Sequence, residues 1–269
     1  VRNAEEMGNP AMRWSAQFGL GRLLRRIDRR EEALAALSES LTIIESMRHE
    51  IAPSDEARTG FMEDKQEVYA DAVSLLFELG RVEDALEVAE RARARAFLDL
   101  LSARPAAGAK QLAAPAPVAL VRLADIRGEA SRLQATLVAY FASETDLFMW
   151  VAAPSGTIRG VRTPIGRAEL TRLVEKLEAA LRRGPFTGPA RGAPTDEDRA
   201  VDQGLDPVSR RLHRELIAPV EPWLPESPRE EITIIPHGPL FRVAFGGLRD
   251  DEGRYVAERH TLNYVPAVG

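Results

Sequence analysis

Apolar residues recur at helical spacing through most of residues 11–102. A spacing of three and four residues places side chains on one face of a helix, so this region predicts helices almost throughout. Gly80 marks the end of one helix, since glycine readily adopts the left-handed conformation that ends helices. The positions that carry the pattern are Phe18, Leu20, Leu23, Leu24 and Ile27, then Leu34, Leu37, Leu41 and Ile44.

The helical region contains an internal repeat. The segment "DRREEALAAL" aligns with "GRVEDALEVA", with Ala33 on Ala85, so the offset is 85 − 33 = 52 residues. A tetratricopeptide repeat has a period of about 34 residues. We assign the excess to long helices and a loop around Pro53 to Gly60. Two tetratricopeptide-like helical hairpins are therefore expected, and a plain helical bundle is the alternative.

The chain changes character after residue 102. Residues 103–117, "ARPAAGAKQLAAPAP", are rich in Ala, Pro and Gly, which disfavour both helix and sheet. We therefore predict a helical domain at 1–102, a linker at 103–117 and a second domain at 118–269. About three repeats are normally needed for a stable solenoid, so we expect either that more repeats precede Val1 or that the second domain caps these two.

The second domain reads as α/β with a partly parallel sheet, because strands and helices alternate. Three strand candidates separated by short turns predict an antiparallel meander, and the second is expected to be central because it is apolar on both faces. The segment 184–204 is rich in Gly, Pro and charge and is expected to be mobile. The predicted strands are 136–142, 146–153, 157–163, 232–236 and about 261–266, and the predicted helices are 123–135, 166–184 and 206–218.

Composition removes several classes of function. The net charge is −5, which argues against a nucleic-acid-binding protein. The sequence has no secretory signal and no apolar run long enough to span a membrane, so a cytoplasmic protein is expected. Cysteine is absent, which excludes a cysteine nucleophile and thiolate metal sites within these residues. Arginine far exceeds lysine, which indicates a bacterial source.

The segment "IIPHGPLFRVAFGGL" holds the strongest candidate site, His237, Gly238 and Pro239. These residues follow a buried strand, and ligands bind α/β sheets at the carboxyl ends of strands. His237 is either a catalytic base or a turn residue whose imidazole bonds a local backbone group, with Gly238 at positive φ. We favour the turn residue, because the sequence offers no nucleophile in a suitable motif.

Other polar residues are interpreted as structural. His213 lies beside arginines and is expected on a solvated helix face, and Arg91, Arg93 and Arg95 are expected to pair on the surface with Glu87 and Glu90. Metal-binding and phosphate-binding motifs are absent, so no metal and no cofactor are expected.

The order of these motifs resembles that of CHAT-domain proteins, in which a caspase-like module is joined to tetratricopeptide repeats. The resemblance covers about residues 60–269. It rests on "AERARAR", "TLVAYFASETDLFMWV", "RRLHRELIAPVEPWL" and "EITIIPHGPLFRVAFGGL". It implies an α+β multidomain chain, with helical hairpins followed by the N-terminal part of a caspase-like α/β domain.

The resemblance also bears on activity. Active members of the family are cysteine peptidases with a histidine in an H-x-A-T-H-G-like segment and a cysteine in an S-A-C-like segment, and neither segment occurs here. No residue of 1–269 is therefore assigned a catalytic role. His237, Gly238 and Pro239 are expected beside the groove that leads to such a site.

Two functions follow as alternatives. The chain is either the pseudo-catalytic half of a CHAT-type cysteine peptidase, with repeats that bind a protein partner or regulate the peptidase, or a non-catalytic interaction scaffold. The expected partner is a protein or peptide on the inner face of the hairpins, near Arg13, Gln17 and Arg22, with no nucleic acid and no membrane. An open sheet edge at the end of the chain predicts further association.

Overall fold

A computed structural model of the chain describes residues 9–50, 55–102, 122–183 and 196–267. The chain divides into two compact units, Val1–Leu123 and Ala124–Gly269. The first is helical and the second contains a five-stranded mixed sheet, so the expected α+β class is confirmed. The linker expected at 103–117 lies outside the described residues, and the domain bounds stay a prediction.

The described part of the first unit consists of helices. They are α1 (Pro10–Arg26), α2 (Arg30–Glu50), α3 (Asp55–Glu78) and α4 (Val82–Ser102). Asn9 caps α1, because its side chain accepts the backbone N–H of Ala11 at 2.9 Å. The loop expected around Pro53 to Gly60 is wrong from Asp55 onward, where α3 begins. Residues 51–54 lie outside the described residues.

The turns of the two hairpins have the same structure, 52 residues apart. Asp28 (φ 60°) and Gly80 (φ 71°) occupy equivalent left-handed positions. The bond from the N–H three residues past each helix to a carbonyl in its last turn is also shared, and this is the Schellman helix end. These bonds run from Arg29 to Leu24 (2.9 Å) and from Arg81 to Leu76 (2.8 Å). The sequence repeat is therefore a structural repeat.

In each hairpin, one small and one large residue occupy equivalent buried positions on the two helices. A methyl group added to Gly21 would lie 2.9 Å from the Leu37 side chain and 3.2 Å from the Ala33 carbonyl oxygen. At the equivalent positions of the second hairpin, Val73 and Ala89 are both fully buried. In the first hairpin the larger residue, Leu37, lies on the second helix, α2. In the second hairpin the larger residue, Val73, lies on the first helix, α3. The exchange of positions keeps the buried volume similar.

The strand order in the second unit is β3-β2-β1-β4-β5. The strands are β1 (Thr136–Ala142), β2 (Leu147–Ala152), β3 (Ile158–Thr163), β4 (Glu231–Ile235) and β5 (Thr261–Tyr264). The first three pair antiparallel, as the sequence predicts, while β1, β4 and β5 run parallel. As expected, β2 is not an edge strand, since it lies between β3 and β1, and β1 is the middle of the five strands because β4 returns beside it. All residues of β1 and β2 are buried.

Helices α5 (Leu123–Leu133), α6 (Arg167–Arg183) and α7 (Asp196–Leu216) accompany this sheet. Leucines of α6 and α7 share one apolar core with Val138 and Tyr140 of β1. The Tyr140 hydroxyl donates to the carbonyl of Leu216 at 2.8 Å, which ties β1 to the end of α7. The core then continues through Leu240 and Phe245 in the segment after β4.

The helix α7 begins earlier than the sequence predicts. Asp196 to Leu216 is helical, although 184–204 was expected to be mobile and the helix to begin near Asp206. Pro207 lies inside the helix and not at its start. Residues 184–195 lie outside the described residues. Beyond β4, the apolar segment forms short 3₁₀ turns, Gly238–Arg242 and Phe245–Gly247, and then α8 (Val256–Arg259) leads into β5.

Candidate functional site

His237 stands at the carboxyl end of β4, beside the end of β1. Its Nδ1 accepts the backbone N–H of Ala142 at 3.1 Å, and its ring stacks on Phe141 with centroids 4.6 Å apart. An Nδ1 atom that accepts a hydrogen bond places the proton of the neutral ring on Nε2. The imidazole therefore extends the contact between two parallel strands beyond their paired residues.

The other side of Ala142 is also held by a side chain. The guanidinium of Arg167 donates to the Ala142 carbonyl at 3.2 Å, and the Arg167 N–H donates to the Ser143 carbonyl at 2.8 Å. Gly166 allows this approach, because a Cβ there would lie 1.9 Å from the Glu144 carbonyl oxygen. The carboxyl end of β1 is thus fixed between His237 and the start of α6.

Gly238 and Pro239 form the turn that follows. Gly238 has φ 56°, which favours glycine, and it begins the short 3₁₀ turn, with Pro239 as the second residue. Leu240 of that turn is fully buried, whereas Phe241 is 55 % exposed. The bond of His237 reaches a strand 95 residues away and not a local backbone group. The expected position of these three residues beside a groove stays a prediction.

The structure corrects the interpretation of His213. It was expected on a solvated face, but it is buried, and burial lowers the pKa of His213, with Arg259 acting in the same direction. His260 is also buried, which lowers its pKa, and among the described residues neither of its ring nitrogens has a hydrogen-bond partner. The segment from Arg249 to His260 packs over α7, and sequence pattern does not reveal that.

An ion-pair network surrounds these histidines. Arg259 pairs with Glu221, and Arg254 donates to Asp250 from its side chain and its backbone, both at 2.8 Å. These bonds hold the pKa of Asp250 below its usual value, although burial acts in the opposite direction. The cluster is structural in character, because its charged groups neutralise each other.

Ser209 is not a nucleophile in this arrangement. It is buried, its Oγ donates to the Gly247 carbonyl at 3.2 Å and accepts the Arg249 N–H at 2.9 Å. The side chain therefore fixes the loop before α8. Within the described ranges, no group of three or more His, Cys, Asp or Glu side chains is arranged to hold a metal ion.

A second candidate site is a groove of about 450 Å³ within the helical unit. Its walls are the facing sides of α2 and α4, and its floor is α3. This volume lies in the range of pockets that bind small ligands or anchoring side chains. The lining consists of Glu31, Leu34, Ala35, Ser38, Leu41 and Thr42 of α2, Ala72 and Leu76 of α3, Arg81 just before α4, and Asp84, Glu87, Val88 and Arg91 of α4.

Ion pairs shape the groove. Arg81, just before α4, pairs with Asp84 of α4 at 2.6 Å. Arg91 pairs with Glu87 at 3.3 Å and reaches Glu45 of α2 at 3.7 Å, so it bridges the two walls. Glu45 also accepts a hydrogen bond from the hydroxyl of Tyr69 at 3.3 Å. One end of the groove is closed by this bridge.

The α1 residues expected to contact a partner lie elsewhere. Arg13 pairs with Glu39 at 3.6 Å, and Arg22 faces Glu67 at 3.7 Å and Asp71 at 3.8 Å. Burial raises the pKa of Asp71, against the effect of the neighbouring arginines. This face is thus crossed by ion pairs from α1 to α2 and to α3. No sequence pattern indicates the α2–α4 groove, because its walls come from helices about 50 residues apart.

The arginines of α4 were only partly predicted. Arg91 pairs with Glu87 as expected, but Arg93 and its partner Glu90 are buried and not on the surface. Burial lowers the pKa of Arg93 to about 9, so the guanidinium still carries its charge at neutral pH. The structure does not describe the side chain of Arg95.

The described residues thus combine repeated helical hairpins with a mixed sheet, and His237 follows one of its parallel strands, β4. Residues 206–269 match the family model of the CHAT domain. That segment holds the end of α7, the strands β4 and β5, and the turn of His237 to Pro239. The resemblance to CHAT proteins with tetratricopeptide repeats is thereby confirmed.

Two curated relatives are similar in sequence to part of this chain. The chain is 30 % identical over 143 residues to tetratricopeptide repeat protein 28 of Mus musculus and to that of Homo sapiens. The aligned region is 53 % of this chain and 6 % of each relative, so the chain spans a small part of their length. Among the described helices, none combines the length and apolar character needed to cross a membrane.

Proposed function

We propose that the chain is a protein-interaction scaffold whose helical hairpins bind a protein partner, while its sheet unit is a non-catalytic part of a CHAT-type domain. The groove between α2 and α4 is the observation that carries the proposal. It combines an apolar floor with charged walls, which suits a partner that brings both apolar and polar side chains.

The sheet unit supports the non-catalytic part. The 269 residues contain no cysteine, so they cannot supply a thiolate nucleophile. His237 uses Nδ1 to hold Ala142, and Ser209 is engaged by two backbone groups. These two polar residues therefore stabilise the fold through hydrogen bonds to the backbone.

Quantitative affinity capture from cells of the source organism tests the proposal. We expect a protein to be enriched on the wild-type chain and to be lost on Ser38→Arg, which places a long charged side chain in the groove. Ser46→Arg is the matched control, because Ser46 is an exposed serine of α2 outside the groove lining. Equal recovery on wild type and both variants would contradict binding at this groove.

A further inference from the structure

The walls of the groove restrict the form of its occupant. Both walls are helices, and their backbone N–H and C=O groups are used within the helices. An extended peptide would turn its own backbone groups toward walls that offer no backbone partner, which is unfavourable for buried groups. A helix satisfies its backbone internally and presents only side chains. The geometry therefore favours a helical occupant.

The dimensions of the groove fit side chains along one helix face. From Glu31 to Thr42 the α2 wall covers 42 − 31 = 11 residue steps, or about 16 Å at about 1.5 Å per residue. This length corresponds to about three helical turns. The volume of about 450 Å³ accepts several apolar side chains but not a helix backbone. Small residues, Ala35 and Ser38, line the wall and allow close approach.

Charge gives the occupant a polarity. Arg81 and Asp84 neutralise each other, and Arg91 is engaged by Glu87 and Glu45. Glu31 also lines the groove, and within the described residues no ion pair or hydrogen bond to its carboxylate is present. Glu31 is therefore the unpaired carboxylate of the groove lining, at the end where α2 begins, whereas Glu87 and Glu45 share Arg91 at the opposite end.

We infer that the groove between α2 and α4 binds an amphipathic helix of a partner protein, with apolar residues spaced i, i+3 or i+4, and i+7, and a lysine or arginine facing Glu31. This inference rests on the proposed function and specifies the chemistry of the partner. Such a helix inserts its apolar side chains over Leu34, Leu41 and Leu76. Its cation meets the carboxylate at the open end.

Two fluorescent synthetic peptides of equal composition test the inference. One carries leucines at the i, i+3, i+4 and i+7 spacing and a terminal lysine, and the other has the same residues rearranged to alternate apolar and polar positions. Fluorescence anisotropy with the full chain measures Kd. We expect the helically spaced peptide to bind at least about tenfold more tightly than the rearranged one.

Variants locate the binding. Ser38→Arg is expected to weaken binding of the helically spaced peptide by about tenfold or more, since the added cation blocks the groove. Ser46→Arg should leave the Kd unchanged. A third peptide ends in glutamate in place of the lysine. The wild-type chain should prefer the lysine peptide over it, and Glu31→Lys should reverse this preference. Circular dichroism of each variant establishes that it is folded.

The results separate this inference from the proposed function. No binding of either peptide, equal binding of both, or equal loss in Ser38→Arg and Ser46→Arg would overturn the helical occupant. The proposed function would still stand if a captured protein is lost on Ser38→Arg and kept on Ser46→Arg. If neither the peptide-binding result nor the affinity-capture result is obtained, the groove is not a binding site.

Discussion

At the scale of single residues, the Nδ1 atom of His237 satisfies the last backbone N–H of β1. Ala142 is fully buried, so its N–H has no access to water if the acceptor is removed. A buried donor without a partner costs about 1–3 kcal/mol. The histidine is therefore a stability element at the edge where β1 and β4 end.

His237→Phe tests this role. The variant keeps an aromatic ring to stack on Phe141 but removes the acceptor, and we expect the free energy of unfolding to fall by about 1–3 kcal/mol. Urea unfolding followed by circular dichroism measures the change. Phe241→Ala, at an exposed position of the next turn, should stay within about 0.5 kcal/mol of wild type. A His237→Phe protein as stable as wild type would contradict the hydrogen bond.

Two buried histidines make stability depend on pH. Burial lowers the pKa values of His213 and His260 from 6.5, with Arg259 adding to this and Glu221 opposing it for both, and Asp250 and Asp251 opposing it for His213. The unfolded chain therefore binds protons at a higher pH than the folded chain does. The free energy of unfolding is largest above pH 6.5 and falls as the pH decreases below it.

Unfolding in urea between about pH 7.5 and about pH 5.5 measures this dependence. We expect His260→Leu to reduce the slope below pH 6.5, because the variant removes one buried group that must stay neutral. His213→Leu should have the same kind of effect. Slopes identical to wild type in both variants would show that these side chains do not link folding to protons.

At the scale of elements, the 52-residue repeat places a different residue at the same backbone position. Asp28 and Gly80 both adopt positive φ at the end of a helix, but only glycine does so without steric cost. A Cβ at Gly80 would meet no atom within 4 Å, so the cost at that position is conformational alone. The two turns therefore provide a matched pair.

Exchange of the two residues tests the equivalence. We expect Asp28→Gly to raise the free energy of unfolding by about 1 kcal/mol and Gly80→Asp to lower it by about 1 kcal/mol. Asp28 also pairs with Arg30 at 2.7 Å, but its side chain is 78 % exposed and such a pair contributes little. Thermal unfolding of the two variants measures both changes. Shifts of the same sign would contradict the shared geometry.

The elements also show where sequence reasoning succeeds. The antiparallel meander of β1, β2 and β3 follows from local alternation and short turns, and the repeat follows from matching residues 52 apart. The start of α7 at Asp196 was missed because Gly, Pro and charge in that region favour a loop locally. His213 and Arg93 were misplaced because their burial depends on segments distant in sequence.

At the scale of the whole molecule, the candidate sites differ in how far sequence reveals them. His237, Gly238 and Pro239 were found because a histidine and a glycine follow a strand. The partner of His237, Ala142, could not be found, because only the parallel pairing of β1 and β4 brings them together. The groove is a product of helix packing, and no single stretch of the sequence encodes it.

The central claim is that the helical unit, through the α2–α4 groove, contacts a partner protein. The most direct measurement is photo-crosslinking in cells of the source organism, with a benzophenone amino acid in place of Ala35 in the groove or of Ala168 on α6. Both are exposed alanines within helices. The account predicts a reproducible protein adduct from position 35 that Ser38→Arg abolishes, and no such adduct from position 168. Equal adducts from both positions, or none from position 35, would contradict it.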